Sequence, residues 1–170
     1  MLMDIILICL ILIAVVVDLR SRRIPNILIG LGLVLAIGYN IYTSGLSGTL
    51  FSLKGLGVGM LLLILPFMSG GMGAGDVKLL GMIGAFKGSW FVFNAFIFMA
   101  LWGGLIIVII LIHKKQLVHT VKKIISGLLL LPMGLGKAYD HMDKGELAIY
   151  YPYGLAIGLG VVTCFIKGGC

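Results

Sequence analysis

The sequence has few charged residues, and long apolar runs occupy most of its length. Only 11% of its 170 residues are charged, whereas 61% are hydrophobic. A small water-soluble domain cannot bury that much apolar side chain, because too little of its surface becomes interior. The composition therefore excludes a soluble enzyme and predicts a protein that folds in lipid.

Cysteine is also scarce, and the motifs of several enzyme classes are missing. The three cysteines, Cys9, Cys164 and Cys170, are scattered and form no C-x-x-C pair, so no zinc site is indicated. The sequence contains neither G-x-S-x-G nor H-E-x-x-H, which are typical of serine hydrolases and zinc peptidases. We expect no metal and no organic cofactor.

The apolar residues fall into six segments that predict membrane-spanning helices. These segments cover about 2–17, 25–43, 50–69, 77–87, 89–112 and 150–166. Backbone amides must be paired inside lipid, and the segments lack the alternation of barrel strands, so helices are expected. The fold predicted is an all-α, polytopic membrane helix bundle of about six transmembrane helices in a single domain, 1–170. The short fourth segment fits either a tilted span that turns at Lys87-Gly88-Ser89 or a re-entrant hairpin with the fifth.

The basic residues predict the orientation, because cytoplasmic loops hold most of the Lys and Arg of a membrane protein. With the N-terminus outside, ten of the thirteen basic residues fall on the inner side: Arg20, Arg22, Arg23, Lys78, Lys114, Lys115, Lys122, Lys123, Lys137 and Lys144. The outer side keeps Lys54, Lys87 and Lys167. We therefore expect an inner-membrane protein with both termini outside. This placement also accounts for the net charge of +7 without a nucleic-acid partner.

Between the last two apolar segments, a cytoplasmic stretch at about 113–148 predicts contact with lipid. Its first part, 113–131, begins basic and becomes apolar with helical spacing. This pattern is typical of an amphipathic helix in the headgroup region, with lysines attracted to anionic lipid.

Glycine is abundant and often recurs at a spacing of four residues. The pairs are Gly55 with Gly59, Gly84 with Gly88, Gly154 with Gly158, and Ala156 with Gly160. Small residues at this spacing let helix backbones approach closely in lipid, so we expect these positions at helix–helix contacts.

Two of the six acidic residues stand at helix ends on the predicted cytoplasmic boundary. Asp18 follows Ala-Val-Val-Val at the end of the first helix, and Asp76 follows a glycine-rich turn at the start of the fourth. The other four acidic residues are expected to face water, as charged side chains ordinarily do: Asp4, Asp140, Asp143 and Glu146. Ionisable groups are costly to bury at a membrane boundary, so Asp18 and Asp76 are candidates for a functional site. We also expect Asp76 to cap the helix that follows it.

A pair of carboxyl groups can activate water. One ionised group takes a proton from the water while the other, protonated, polarises a carbonyl group, and the two titrate as a pair. We expect Asp18 to hold the shared proton more often and Asp76 to be the base, although joint titration leaves this assignment open. The main alternative is a small transporter in which Asp18 and Asp76 carry protons or cations, but such acids belong near mid-bilayer, with internal repeats around them.

Two stretches of the sequence resemble the signature motifs of a peptidase family. They are Asp18-Leu19-Arg20-Ser21-Arg22-Arg23-Ile24-Pro25-Asn26 and Gly73-Ala74-Gly75-Asp76-Val77-Lys78-Leu79-Leu80. They resemble the type IV prepilin peptidases, membrane aspartic proteases of the G-x-G-D kind. Two later stretches, Gly84-Ala85-Phe86-Lys87-Gly88 and Tyr151-Pro152-Tyr153-Gly154-Leu155-Ala156-Ile157-Gly158, are similar to that family as well.

The resemblance implies a six-helix peptidase with Asp18 and Asp76 as the catalytic pair. Its substrates would be prepilin- or pseudopilin-like membrane proteins, whose short basic leader is cut just after a glycine at the cytoplasmic face. Larger members have a cysteine-rich loop and also methylate the new N-terminus; residues 1–170 contain no such loop, so we expect no methyl transfer.

The resemblance also suggests residues that contact the substrate. Family substrates usually carry a glutamate shortly after the cut, and Arg20 or Lys78 could pair with it. Gly73 and Gly75 would let the substrate chain approach Asp76, because glycine leaves the backbone uncovered. Which filament or secretion system is served, and the oligomeric state, are not predicted.

Overall fold

The protein is described by a computed structural model that covers residues 2–21, 23–113 and 153–168. Within these ranges, four helices account for 92% of the residues and no strand is present. The helices are α1 (Leu2–Ser21), α2 (Asn26–Met68), α3 (Ala74–His113) and α4 (Tyr153–Ile166). The predicted all-helical fold is therefore confirmed.

Two of the helices are kinked at a glycine. In α2 the kink is at Gly45 (φ 56°, ψ −130°), and in α3 it is at Gly88 (φ 85°, ψ 176°). Both positions have positive φ, which glycine adopts without the penalty that a Cβ imposes. The second and third predicted segments are thus the two halves of α2, 26–44 and 46–68. The break predicted at Lys87-Gly88-Ser89 is confirmed as the kink in α3.

The helices have the length and surface of membrane-spanning elements. Three of them, α1, α2 and α3, are long and apolar enough to cross a membrane, and α4 is a shorter apolar helix of 14 residues. Large apolar side chains lie on their outer surfaces, as at Val34, which is 71% exposed. The chain is a membrane protein, and the count of about six spans stays a prediction.

Contacts divide the chain into two compact units, 1–103 with 152–170, and 104–151. Of the second unit, the structure describes residues 104–113, which are the last turns of α3. The amphipathic helix predicted within 113–148 lies outside the described residues, apart from His113. The single domain predicted over 1–170 stays a prediction.

A charged and aromatic cluster ties together three helices of the first unit. Lys87 Nζ lies 2.9 Å from Asp4 Oδ1, which joins α3 to the first turn of α1. The same ammonium lies 5.3 Å from the ring centroid of Phe91 and 5.0 Å from that of Phe165, near the end of α4. Asp4 stands 14 residues before Asp18, about 21 Å along the axis of α1 at 1.5 Å per residue. The cluster therefore marks the end of the bundle opposite Asp18.

The second half of α2 crosses the first half of α3 at glycine. A Cβ added at Gly55 would collide with the carbonyl oxygen of Gly84, and one added at Gly84 would collide with that of Gly55. A turn later along α2, a Cβ at Gly59 would meet the carbonyl oxygen of Leu80 at 2.5 Å. The predicted role of Gly55, Gly59 and Gly84 at a helix contact is confirmed.

A polar contact near this crossing links both halves of α2 to α3. The side-chain amide of Asn40 donates to Ser52 Oγ at 2.9 Å and to the carbonyl oxygen of Ala85 at 3.3 Å. It also donates to the carbonyl oxygen of Ala36 at 3.0 Å, and the Ser52 side chain is fully buried. In lipid such interhelical hydrogen bonds add to packing between small residues.

We expect Asn40→Ala to destabilise the protein by about 1 kcal/mol, because the interhelical bonds are lost and the buried Ser52 hydroxyl loses its donor. Asn94→Ala is the matched control, since among the described residues Asn94 donates only within its own helix, to the carbonyl oxygen of Trp90 at 3.0 Å. The free energy of unfolding in mixed micelles measures both. Equal losses in the two variants would contradict the bridging role of Asn40.

Candidate active site

Asp18 lies in the last turn of α1 and is buried, with 8% of its surface exposed. Its Oδ2 accepts a hydrogen bond of 3.1 Å from the backbone N–H of Gly154, the second residue of α4. A carboxylate near the end of its own helix faces carbonyl groups that disfavour its charge. An N–H from the start of another helix offsets that effect.

Asp76 is the third residue of α3 and is 7% exposed. Its Oδ2 accepts a hydrogen bond of 3.3 Å from the N–H of Gly73, and its own N–H donates to the carbonyl oxygen of Gly73 at 3.2 Å. Asp76 was predicted to cap the following helix from the position just before its first residue, and that position is wrong. The helix begins earlier, at Ala74, so the Asp76 carboxylate reaches back to the residue that precedes the helix.

The second oxygen of Asp76 is unsatisfied among the described residues. Oδ1 is buried and has no hydrogen-bond partner there. Buried polar atoms are almost always paired, because an unpaired one costs free energy. An unpaired carboxylate oxygen beside a cavity therefore indicates a place for a reacting molecule.

The two aspartates share one open cavity of about 430 Å³. Their carboxyl groups are close enough for the charge of Asp18 to act on Asp76. The cavity is lined by residues from the end of α1, the connection to α2, the start of α2, and the start of α3 with the residue before it: Asp18, Arg23, Ile24, Asn26, Gly73, Ala74, Gly75, Asp76 and Lys78. Residues 58 positions apart in the chain are thus brought to one place, all within the first compact unit.

Of the two basic residues predicted to contact substrate, one lines this cavity. Lys78 does so, and its Nζ donates to Asn26 Oδ1 at 3.0 Å, which joins the first turns of α2 and α3. Arg20 is exposed and is not among the lining residues, whereas Arg23 is. Arg20 lies in the last turn of α1, whereas Arg23 lies beyond the end of that helix.

Both glycines predicted to contact substrate line the cavity, and both are crowded on one side. A Cβ at Gly73 would lie 3.2 Å from Asp76 Oδ2, and a Cβ at Gly75 would lie 3.2 Å from the Cβ of Ile24. Glycine at 73 therefore leaves room for the Asp76 carboxylate. Glycine at 75 lets the start of α3 pack against the connection between α1 and α2.

Gly154 is a site residue that reasoning from the sequence missed. Its spacing to Gly158 predicts a packing role, which both glycines fill: a Cβ at Gly158 would lie 2.9 Å from Val15 Cγ2 on α1. The bond to Asp18 comes from the same contact, one turn earlier. The neighbouring Tyr153 is half-buried and lies close enough to Asp76 for the two side chains to interact electrostatically. The signal in the sequence that could have indicated Gly154 is the Tyr-Gly pair that follows Pro152 at the start of a helix.

No group of three or more His, Cys, Asp or Glu residues in the described part of the chain is arranged to hold a metal ion.

The features together define a class: a helical membrane protein with two buried carboxyl groups at one end of its bundle, beside a single cavity. A family model described as the type IV leader peptidase family matches residues 5–112, more than half of the chain. The chain belongs to that family, and it is a peptidase. The predicted family is thereby confirmed. No curated protein and no solved structure gives a significant match.

Proposed function

We propose that this chain is an aspartic endopeptidase that removes the short basic leader from prepilin- or pseudopilin-like membrane proteins. The observation that carries the proposal is the meeting of Asp18 and Asp76 at one cavity, both of them buried. The matching family supplies the class of reaction, leader peptide cleavage.

In the proposed mechanism a water molecule between the two carboxyl groups is the nucleophile. The ionised carboxylate takes a proton from the water as its oxygen bonds to the scissile carbonyl carbon. The protonated carboxyl group donates a hydrogen bond to the carbonyl oxygen, where negative charge develops. The tetrahedral intermediate then breaks its carbon–nitrogen bond, and the departing amine receives a proton from the pair. No bond between substrate and enzyme forms.

The proposed orientation places the cavity at the cytoplasmic face of the inner membrane, with the N-terminus outside. Its support is the distribution of charge, in which ten of thirteen Lys and Arg residues fall on the same side as the aspartates. A substrate whose leader is basic would keep that leader in the cytoplasm for the same reason. Its hydrophobic segment would lie in the bilayer beside the helices.

The alternative, a proton- or cation-coupled transporter, is less well supported. Asp18 stands in the last turn of α1 and Asp76 in the first turn of α3, so neither lies in the middle of a helix. A carrier needs acidic groups along a path across the bilayer. The family match favours a peptidase.

Co-expression with prepilin-like candidates from the same genome tests the proposal. We expect the intact mass of the true substrate to fall by the mass of its leader, with a new N-terminus just after a glycine. A substrate in which that glycine is replaced by a bulky residue is the control and should stay uncut. If every candidate keeps its full mass beside the folded, membrane-inserted chain, the proposed function is wrong. Ion flux into proteoliposomes that disappears in Asp18→Asn would then favour the transporter.

We further expect Lys78 to recognise an acidic side chain of the substrate. Its ammonium lines the cavity and is held by Asn26, so it is placed to pair with a carboxylate. Lys78→Glu should raise KM at least about tenfold, since a like charge replaces an attractive one. Arg20→Glu should have a smaller effect, because Arg20 does not line the cavity.

KM values of the two variants decide whether Lys78 or Arg20 makes this contact. They are measured on a wild-type substrate and on one whose acidic residue is neutralised. The penalty from Lys78→Glu should shrink on the neutralised substrate. A larger penalty from Arg20→Glu would reverse the assignment and favour Arg20 as the contact.

A further inference from the structure

We infer that the backbone N–H of Gly154 is the positioning group for Asp18, so that the start of α4 sets the geometry of the catalytic pair. The inference rests on the proposed function, because it assigns a role within that reaction. Gly154 contacts a reacting carboxyl group and acts through it.

The geometry of the contact supports a positioning role. The N–H of Gly154 donates to Asp18 Oδ2 at 3.1 Å, and both residues are buried. The first N–H groups of a helix have no partner within that helix. Gly154 is the second residue of α4, so its N–H is available for this bond. Asp18 thus supplies to α4, from a different helix, the acceptor that a capping side chain would normally provide.

The contact needs glycine as well as an amide. A Cβ added at Gly154 would lie 2.7 Å from Asp18 Oδ2 and 3.1 Å from both its Cβ and Cγ. The nearest of these atoms is the end of a short side chain, which can turn away, while the helices stay in place. An alanine would therefore displace the carboxyl group and leave the fold intact. In that position the carboxyl group can no longer share one water with Asp76.

The alignment of α1 and α4 explains why the bond is well defined. One turn along α4, Gly158 packs against α1, where its added Cβ would lie 2.9 Å from Val15 Cγ2 and 3.6 Å from Ile11 Cγ2. Glycine at both 154 and 158 lets the two helices approach closely enough for a backbone amide to reach a side chain of α1. Among the described residues, a Cβ at position 158 meets methyl groups alone, whereas one at position 154 meets a carboxyl group.

Gly154→Ala and Gly158→Ala form a matched pair, because both crowd the same helix contact. We expect Gly154→Ala to lower kcat about 100-fold while KM stays within about twofold, since a misplaced catalytic group slows the reaction and leaves substrate binding unchanged. Gly158→Ala should keep kcat within about threefold of wild type. The substrate is the prepilin-like protein that the wild type processes, purified with the enzyme in detergent. A kcat for Gly154→Ala within threefold of wild type, or equal losses in the two variants, overturns the inference.

A measurement on the amide itself covers the case in which Gly154→Ala does not fold. Tyr153-Gly154 is the only Tyr followed by Gly in the sequence, so labelling with carbonyl-¹³C tyrosine and ¹⁵N glycine leaves a single cross-peak in an HNCO spectrum. We expect that peak to move in Asp18→Ala and to stay in place in Asp4→Asn. An unmoved peak in folded Asp18→Ala overturns the inference.

The two experiments separate the inference from the proposed function. The spectrum requires no substrate and reports on the contact alone. If the wild type cleaves no prepilin-like protein, the proposed function fails and the positioning role falls with it, even where the peak moves. If the wild type cleaves and the peak or the kcat comparison fails, only the role of Gly154 is wrong.

Discussion

Asp18→Asn and Asp76→Asn should each slow leader cleavage by about a thousandfold or more, because positioned acid–base groups contribute about 10²–10⁴-fold to rate and the proposed mechanism has the two act on one water. Asparagine keeps the size of the side chain and can still accept the N–H of Gly154 or of Gly73. The loss should therefore come from chemistry, with folding unchanged. Initial rates of leader release from a processed substrate measure it.

Asp4→Asn is the control for both variants. It makes the same chemical change at the opposite end of α1, where Asp4 pairs with Lys87 at 2.9 Å. We expect it to cost only a little stability, because the pair is partly exposed, and to leave the cleavage rate near wild type. Cleavage at a normal rate by either folded Asp18→Asn or folded Asp76→Asn would remove that residue from the mechanism.

Gly55→Ala should destabilise the bundle by about 3 kcal/mol or more, a cost at the upper end of overpacking effects. The added methyl group would collide with the carbonyl oxygen of Gly84 and lie 3.0 Å from the Cα of Gly88. These are backbone atoms of the adjoining helix, so the clash is relieved only if α2 and α3 separate. Separation of these helices would also move Asp76, which stands two turns from Gly84 on α3.

Gly57→Ala is the matched control on the same helix. A Cβ at Gly57 would meet no atom of the described residues within 4 Å. Alanine there should stabilise α2 by up to about 1 kcal/mol, since glycine is a poor helix former. The free energy of unfolding in mixed micelles should therefore change in opposite directions for the two variants. Equal changes would mean that the helices do not cross at Gly55.

The sequence was sufficient to predict the all-helical fold, whereas the catalytic role of the two aspartates stays a prediction. Apolar length defines helices in lipid, because each helix satisfies its own backbone without reference to the rest of the fold. The same reasoning placed Asp18 and Asp76 at helix ends, and the break at Gly88 followed from a glycine next to a lysine and a serine. The number of spans stays a prediction, since α2 and α3 each continue through a kink.

Contacts that depend on how helices cross could not be predicted. The bond from Gly154 to Asp18 joins residues 136 positions apart. It exists because α1 and α4 approach closely at Gly154 and Gly158, which the spacing of glycines indicates without naming the partner helix. For a similar reason, the sequence could not predict that Arg23 lines the cavity and Arg20 does not. Arg23 lies beyond the end of α1, where no regular periodicity guides a prediction.

The choice of hydrogen-bond donor for the Asp76 carboxylate shows a finer limit. A glycine-rich turn followed by aspartate predicts a cap, yet the helix starts at Ala74 and Gly73 takes the position before it. A glycine imposes little preference on where a helix begins, so the four glycines before Asp76 leave several starts open. The structure selects the one in which the carboxylate is held by Gly73 and one oxygen stays unpaired.

The central claim is that two carboxyl groups hold one reacting water, and the affinity of a tetrahedral analogue tests it most directly. The probe is a substrate peptide in which a hydroxyl-bearing carbon replaces the scissile carbonyl, so that its hydroxyl takes the place of the water. Such analogues bind about 10²-fold or more tightly than substrate when the catalytic groups converge on them. We predict tight binding to wild type and to Asp4→Asn, and a comparable loss of affinity in Asp18→Asn and Asp76→Asn. Loss in only one of the two variants, or in neither, would contradict the claim.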